Sequence, residues 1–145
     1  MKVLVQKVKK ASVRVQHELI SEIQTGYLLF IGVEKDDTKE KAEYLAKKVA
    51  NFRIFTDDND KMNLNILDVS GEILAVSQFT LAANLNCGNR PGFETAARPE
   101  DAKPLYEYLV KKLEEYNITV KTGIFQAEME VELINDGPCT FLLQR

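Results

Sequence analysis

Two short segments of the chain carry residue types that could do chemistry. The first is residues 77–81, Ser-Gln-Phe-Thr-Leu, which follow four apolar residues, Ile73 to Val76. Three hydrogen-bonding side chains within four positions, at the point where an apolar strand leaves the core, could hold a polar substrate. A strand end made of β-forming polar residues is the purely structural interpretation, and the residue types alone favour it.

The second segment is residues 135–140, Asn-Asp-Gly-Pro-Cys-Thr, which lie between two apolar runs. A Gly-Pro pair in this position predicts a sharp turn, and a peptide bond before proline can be cis. An ordinary hairpin turn is the structural interpretation of this segment, and the residue types alone favour that interpretation too.

The side-chain bases that hydrolases commonly use are scarce in this sequence. His17 is the only histidine and lies in a strand-to-turn segment, where a surface side chain is expected. Cys139, directly after Gly-Pro, is more typical of a small buried residue than of a thiolate nucleophile. Metal-ligand spacings and phosphate-binding loops are absent, and residues 57–60 lack the rest of a calcium loop. We therefore expect no metal and no cofactor, and any catalysis must use backbone amides, hydroxyls and the substrate's own groups.

Length and composition limit the classes of protein further. The chain has 145 residues, 45% of them hydrophobic, which fits one domain over residues 1–145. Nineteen Lys and Arg against 22 Asp and Glu give a net charge of −3, which argues against a protein that coats nucleic acid. Cys87 and Cys139 are too few for a disulfide framework, and no apolar run suits a secretory signal or a membrane span. These features predict a cytoplasmic protein without a membrane partner.

Two helices are predicted between groups of strands. The first is capped by Asp37 or Thr38 and carries apolar residues at helical spacing as far as Phe52. The second runs from about Asp101 to Tyr116, with Pro104 in its first turn. A long loop at 82–99 precedes it.

The strands must position both chemical segments. The run at 27–33 is almost entirely apolar and predicts a central strand buried on both faces. Other strands are predicted at 2–8, 11–15, 18–24, 53–55, 71–77, 118–121, 129–135 and 140–143, with a turn at 136–138. This order of strands and helices predicts an α+β fold.

The two chemical segments closely resemble the signature motifs of the D-aminoacyl-tRNA deacylase family, SQxxL and NxGPxT. Residues 77–81 match the first motif and residues 135–140 match the second. The similarity continues through residues 5–8, 11–13, 52–55, 61–64, 88–91, 104–106 and 122–123. Both motifs together, in a chain of the family's length, are a specific signal, so the chain is identified as a member of that family.

The resemblance implies hydrolysis of the ester between a D-amino acid and the 3′-terminal adenosine of tRNA. It also implies removal of glycine from mischarged tRNA, while L-aminoacyl-tRNA is spared. The fold implied is compact and β-barrel-like, with antiparallel and mixed sheets packed on two main helices. Family members form homodimers with active sites at the interface, so the partners expected are aminoacyl-tRNA and a second copy of the chain.

Residue roles follow from the resemblance. Gly137-Pro138 would form a cis peptide and enter the partner subunit's pocket. Rigid backbone carbonyls beside the substrate's α-carbon would leave space for hydrogen but not for an L side chain. The catalytic residues implied are Ser77, Gln78, Phe79 and Thr80, and the substrate-binding residues implied are Asn135, Gly137, Pro138, Thr140, Phe125 and Met129.

The chemistry assigned to the first segment is electrostatic. The amides of Phe79 and its neighbours would stabilise the oxyanion, and Thr80 is the one hydroxyl placed to be a nucleophile. Because no histidine is available to activate Thr80, we favour assistance by the ribose 2′-hydroxyl and water, with Thr80 in a positioning role.

Core packing is nearly as good an interpretation of Phe125 and Met129 as a role in the substrate pocket. The family usually has Arg where this chain has Lys7, which can supply charge but not a forked hydrogen bond.

Two alternatives accompany this interpretation. A related group with altered motifs clears L-alanine from the wrong tRNA, but the intact segment 77–80 argues against it. A non-catalytic RNA-binding module is the second, since the first 17 residues contain no acid and carry five basic residues: Lys2, Lys7, Lys9, Lys10 and Arg14. A solvated strand pair explains this charge at least as well, and no aromatic stacking motif supports the module.

Overall fold

The computed structural model describes residues 1–86 and 88–145, so Cys87 lies outside the described residues. It has an α+β fold with two helices and a mixed, barrel-like sheet, which confirms the predicted fold class. The elements in chain order are β1 (Lys2–Val15), β2 (Glu18–Ile23), β3 (Gly26–Gly32), α1 (Lys39–Ala50), β4 (Phe55–Thr56), β5 (Met62–Leu64), β6 (Glu72–Ser77), a 3₁₀ turn (Phe79–Ala82), α2 (Pro99–Glu114), β7 (Thr119–Thr122) and β8 (Glu130–Gln144).

Strand β1 organises the main sheet. Along one edge its residues 2–8 pair antiparallel with β3 and its residues 11–15 pair antiparallel with β2. Along the other edge it pairs antiparallel with β8. The sheet continues from β3 to β6 and from β6 to β7 through parallel pairs. The two halves of β1 therefore have different neighbours on one edge and share β8 on the other.

The predicted break between strands at 2–8 and 11–15 is wrong, because β1 is continuous. The predicted hairpin turn at 136–138 is also wrong, because β8 runs unbroken from residue 130 to residue 144. The two strands pair along nearly their whole length, so the irregular residues are absorbed as shifts of register instead of ending a strand.

The larger of these shifts involves the Gly-Pro segment. Gln6 pairs with Thr140 and Val8 pairs with Asn135, so one residue of β1, Lys7, faces residues 136–139 of β8. We name residues 136–139 the β8 bulge. A bulge bends its strand and leaves residues outside the ladder of hydrogen bonds. The Gly-Pro segment is therefore displaced from the plane of the sheet.

The helices begin at residues with capping or helix-starting chemistry. Thr38, rather than Asp37, caps α1, and its side-chain oxygen accepts a hydrogen bond from the amide of Lys41 at 3.4 Å. Helix α2 begins at Pro99, two residues earlier than predicted, because a proline in the first helical position sacrifices no intrahelical bond. Pro104 consequently lies inside the helix and not in its first turn, which corrects the prediction.

The core consists of two apolar clusters on opposite faces of the sheet. The larger one contains Val3 and Val5 of β1 together with the buried faces of α1 and α2. The smaller one is built from strand residues, including Leu74 and Val76 of β6. Strand β3 contributes to both clusters, with Tyr27 and Leu29 on one side and Leu28 on the other. This confirms that the central strand is buried on both faces.

Strands β4 and β5 form a separate hairpin, and only Phe55 of the strand predicted at 53–55 belongs to it. The predicted turn at 57–60 is confirmed as the hairpin tip. Amides of Lys61 and Asn59 donate to the carboxylate of Asp57 at 3.1 Å and 2.8 Å and lower its pKa. Among the described residues, no group of three or more acidic, His or Cys side chains could hold a metal ion, and no helix could span a membrane.

Candidate active site

The first chemical segment lies where β6 ends. Strand β6 runs between β3 and β7 and is parallel to both, so it is fixed by hydrogen bonds on two edges. After Ser77 the amide of Gln78 still donates to the carbonyl of Ile31 at 2.8 Å, and the chain then turns into the 3₁₀ turn. The side-chain amide of Gln78 donates to the hydroxyl of Thr80. The backbone ladder therefore sets the position of this segment.

A cavity of about 630 Å³ opens beside this segment. Ser77, Gln78 and Phe79 line it together with Phe125 and Met129, so the structure brings five of the predicted site residues to one place. Thr80 is exposed next to them and is not a lining residue. The other lining residues are Ile31, Val33, Val76, Ala97, Pro99, Ala102, Tyr106, Gln126, Ala127, Glu128 and Val131.

Tyr106 of helix α2 is a lining residue that the sequence interpretation missed. Its hydroxyl donates to the carbonyl of Ala75 at 2.9 Å, and its ring lies 5.9 Å from that of Phe125. Burial raises the pKa of Tyr106, so the phenol remains a neutral hydrogen-bond donor. The signal was present, because Tyr106 precedes Leu109 and Leu113 at the three- and four-residue spacing of a buried helix face.

Glu128 also lines the cavity, and it is the one carboxylate among the lining residues. Burial alternates along this stretch: Phe125, Ala127 and Met129 are half-buried, whereas Gln126 and Glu128 are exposed. Glu128 is thus an exposed lining residue, whereas Phe125 and Met129 are half-buried lining residues.

Phe79 is supported by the long loop at 82–99. Its ring is 58% exposed and contacts Phe93 edge to face, with 5.0 Å between ring centroids. The hydroxyl of Thr95 donates to the carbonyl of Ala82, the last residue of the 3₁₀ turn, at 2.6 Å. The loop is thus attached to the turn by an aromatic contact and by a hydrogen bond.

The second chemical segment does not join the cavity within one chain. The Gly137-Pro138 peptide bond is cis, as the resemblance implies. Gly137, Pro138, Asn135 and Thr140 are all exposed, and none of them lines the cavity. A methyl group added at Gly137 would meet only the side-chain nitrogen of Asn135, at 3.7 Å. The segment therefore presents an open surface.

Lys7 holds the near end of the β8 bulge. Its side chain is 7% exposed, and its ammonium nitrogen lies 3.1 Å from a carboxylate oxygen of Asp136. The same nitrogen lies 5.8 Å from the centroid of the Phe55 ring. Lys7 therefore supplies a single ion pair at the position where the family usually has a forked guanidinium.

Most of the basic side chains on β1 form ion pairs with acidic side chains of the same chain. Lys2 pairs with Glu34 at 3.1 Å and Lys10 pairs with Glu22 at 3.0 Å, in addition to the pair made by Lys7. These acids lie outside the first 17 residues. A count of charges within that segment therefore overestimates how basic the folded surface is. The pairing weakens the interpretation of β1 as an RNA-binding patch.

A protein-family model described as D-Tyr-tRNA(Tyr) deacylase matches residues 4–144. The chain belongs to this family. The match covers both chemical segments, the residues that line the cavity and the β8 bulge. It therefore confirms the family that the two motifs indicated.

Curated relatives place the chain in the deacylase family over its full length. A D-aminoacyl-tRNA deacylase of Geotalea daltonii is 53% identical over 144 residues, which cover 99% of this chain and 96% of the relative. One from Pelobacter propionicus is 51% identical over 145 residues and all of both chains.

Two solved structures share the fold. One, described as c-Myc DNA Unwinding Element Binding Protein, is 37% identical and superposes with a TM-score of 0.93, covering 100% of this chain and 99% of its own. The other, described as a probable eukaryotic D-amino acid tRNA deacylase, is 14% identical with a TM-score of 0.84, covering 99% and 98%. At that identity, the second shows that the fold is shared and nothing more.

Proposed function

We propose that this protein hydrolyses the ester bond of D-aminoacyl-tRNA and releases a D-amino acid and tRNA. The observation that carries the proposal is the cavity lined by Ser77, Gln78 and Phe79 in a chain matched by the deacylase family over residues 4–144. Glycyl-tRNA is a second substrate and L-aminoacyl-tRNA is spared. Residues 1–145 act as one domain, and the protein works in the cytoplasm, where aminoacyl-tRNA is used.

The amides of Phe79 and Thr80 stabilise the oxyanion in this proposal. These are the first two residues of the 3₁₀ turn, so their amides have no acceptor within the turn. The turn's own hydrogen bonds begin with the amide of Leu81, which donates to the carbonyl of Gln78 at 3.2 Å. Unpaired amides that point towards a developing negative charge are the usual form of an oxyanion hole.

Water is the nucleophile, and the substrate's ribose 2′-hydroxyl assists it. Water adds to the ester carbonyl, the bond to the ribose 3′-oxygen breaks, and that oxygen leaves with a proton relayed through the 2′-hydroxyl. Thr80 positions these groups, since its hydroxyl oxygen already accepts a hydrogen bond from Gln78 and its own proton is free to donate. A nucleophilic Thr80 would need a neighbouring base.

Glu128 is the rival base within the cavity, and its replacement by glutamine tests that role. Because its side chain is exposed, and a carboxylate in water is a weak base, we expect Glu128→Gln to leave kcat near the wild-type value. Glu132→Gln, another exposed acid nearby on β8, is the matched control. A fall of 100-fold or more (about 2.7 kcal/mol) in Glu128→Gln alone would make this carboxylate the general base.

Selectivity for D substrates comes from Gly137-Pro138 of a second copy of the chain. Three features support a homodimer with active sites at its interface. The Gly-Pro segment is exposed and absent from its own cavity, and Ile134 and Leu142 on the same strand are 56% and 53% exposed. The side-chain oxygen of Gln6, beside Thr140 in the sheet, is buried without a hydrogen-bond donor in the described part of the chain. Burial without a donor is costly, and a partner subunit can supply one.

The direct test is deacylation of D-tyrosyl-, L-tyrosyl- and glycyl-tRNA by the purified protein, together with its mass in solution. We expect turnover of the D and glycyl substrates, little of the L substrate, and the mass of a dimer. Turnover of the L substrate alone would contradict the proposed selectivity, and L-alanyl-tRNA would then be tested for the L-alanine-clearing activity. Binding of tRNA without any turnover would indicate an RNA-binding module.

Gly137→Ala tests the role of the Gly-Pro segment without disturbing the fold. The added methyl group meets only ordinary van der Waals contact within the chain, so stability should be unchanged. In the partner subunit's pocket the same group would lie beside the substrate's α-carbon, and turnover of the D substrate should be lost. Wild-type turnover and selectivity in a folded dimer would reduce Gly137-Pro138 to a structural bulge.

A further inference from the structure

We propose that the β4–β5 hairpin is the platform that positions the β8 bulge, and that Met62 is a positioning residue on it. The structural part of this inference concerns contacts between residues 53–64 and residues 136–139. Its functional part rests on the proposed function, because a displaced bulge would change substrate turnover.

One end of the β8 bulge rests directly on the hairpin. Cys139, the residue after Pro138, is 1% exposed. Its sulfur lies 3.8 Å from the carbonyl oxygen of Ile54 and 3.8 Å from the thioether sulfur of Met62. The buried side of the bulge therefore packs on β5 and on Ile54, the residue that precedes β4, while Gly137 and Pro138 are exposed.

The other end of the bulge rests on the hairpin through Lys7. The ammonium group of Lys7 contacts Asp136 and lies above the ring of Phe55. Phe55 is itself stacked on Tyr27 of the central strand, with 5.2 Å between ring centroids. The contact thus passes from the core, through the first strand of the hairpin, to the first residue of the bulge.

The hairpin is stiffened by its own polar contacts. Arg53 donates from Nε to the carbonyl of Asn63 at 2.6 Å, and the side-chain amide of Asn63 donates to Asp57 at 3.1 Å. Asp57 also donates its amide to the carbonyl of Lys61 at 2.9 Å. Strands of two and three residues are too short to be stable by themselves, so these contacts and the packing of Ile54 and Phe55 keep the hairpin in place.

Met62 is the member of the platform that can be changed with the smallest effect on the core. Its side chain is 53% exposed, yet its sulfur covers the thiol of Cys139. A flexible, unbranched thioether fits such an irregular contact well. Removal of this side chain should uncover one side of the bulge and leave the large apolar clusters intact.

The test compares Met62→Ala with Met62→Leu, which restores the volume, and with Leu67→Ala, a half-exposed apolar residue outside the platform. All three variants are made in a Cys87→Ser background, so that one thiol, Cys139, reacts with a soluble disulfide reagent. The measurements are the rate of thiol labelling, the urea midpoint of unfolding, and kcat and KM for D-tyrosyl-tRNA.

We expect Met62→Ala to label about tenfold faster, because an uncovered thiol is accessible without unfolding. Its kcat for the D substrate should fall about tenfold or more, since small displacements of positioning groups are costly to rate. Met62→Leu and Leu67→Ala should match the background in both measurements, and the urea midpoints should remain close together.

Two results would overturn the proposal. Labelling of Met62→Ala at the background rate would mean that Met62 does not cover the bulge. Faster labelling with unchanged kcat would mean that the contact exists but does not position the reactive segment. Labelling requires no tRNA, so the structural part can be decided even if the background protein fails to hydrolyse D-aminoacyl-tRNA, a result that would count against the proposed function alone.

Discussion

The two chemical segments of this protein are held in place by different means. Residues 77–80 continue a strand that is hydrogen-bonded on both edges, and the apolar clusters bury the four residues before them. Residues 136–139 form a bulge in β8, which pairs with one strand, β1. The first segment is positioned by backbone pairing and the second by a few side chains, chiefly Lys7 and Met62.

This difference separates the effects that mutations should have. The backbone of the first segment can be displaced only by a change in the core, which should appear first as a loss of stability, whereas an exposed side chain on it, such as that of Thr80, can be changed without that loss. The second segment can be displaced by substitution of a single side chain that holds it, and the effect should appear first in turnover and selectivity.

The largest effect on stability is expected from Leu74→Ala in β6. Leu74 is fully buried in the smaller cluster, and removal of a buried leucine side chain costs about 2–5 kcal/mol. Ile134→Ala on β8 is the matched comparison, since its side chain is 56% exposed within one chain and its cost within that chain should be less than about 0.5 kcal/mol. Urea unfolding of both variants at several protein concentrations measures the difference. A loss in Ile134→Ala that depends on concentration would come from the dimer interface, and a loss equal to that of Leu74→Ala at every concentration would show that β8 is as deeply built into the core as β6.

The next effect is expected from breaking the ion pair below the β8 bulge. Lys7→Met leaves Asp136 without its partner, and we expect a cost of about 1–2 kcal/mol because Lys7 is buried and Asp136 is partly exposed. Turnover of the D substrate should also fall, although the variant remains folded, because the bulge is no longer held in position.

Lys7→Arg serves as the conservative control, because it keeps the charge and restores the forked donor usual in the family. A double-mutant cycle with Asp136→Asn measures the coupling of the two side chains. Zero coupling, or full turnover in Lys7→Met, would remove the ion pair from the account of how the bulge is positioned.

A smaller effect is expected from Thr80→Val. A positioning hydroxyl contributes about 0.5–1.5 kcal/mol, so hydrolysis should slow by roughly twofold to tenfold without being abolished. Stability should be unchanged, because Thr80 is exposed.

A tRNA that ends in 2′-deoxyadenosine and is charged on its 3′-hydroxyl complements that variant. Substrate assistance predicts a much larger loss on this substrate than in Thr80→Val. An acyl-enzyme trapped on Thr80 would show that the mechanism uses a protein nucleophile instead, and full turnover of the deoxy substrate would rule out assistance by the 2′-hydroxyl.

The smallest effect is expected from Lys9→Glu combined with Lys10→Glu. Lys10 already pairs with Glu22 and is not free to contact a phosphate, so the effect expected is the general repulsion from a protein charge lowered by four units. Affinity for tRNA should weaken slightly and lose some of its salt dependence, while the preference for D over L substrates stays the same. Filter binding at several salt concentrations measures this effect. A loss of affinity above 100-fold would support the interpretation of β1 as a tRNA-binding surface.

The amino-acid sequence by itself determined the local elements and the family. Periodicity predicted both helices and the doubly buried strand β3, and two short motifs predicted the deacylase family, because helical spacing, apolar runs and motif residues are properties of neighbouring positions. The resemblance to that family, in turn, implied five residues that line the cavity: Ser77, Gln78, Phe79, Phe125 and Met129.

The tertiary structure decided which distant residues meet. Gly137-Pro138 predicted a turn, but pairing with β1 keeps β8 continuous and turns those residues into a bulge. Basic residues on β1 predicted a charged surface, but acids from distant positions neutralise most of them. Helical spacing can place Tyr106 on a buried helix face but not at the cavity beside Phe125, and the contact between Cys139 and Met62 was not predicted at all. Each of these depends on packing between residues far apart in the chain, which local patterns do not encode.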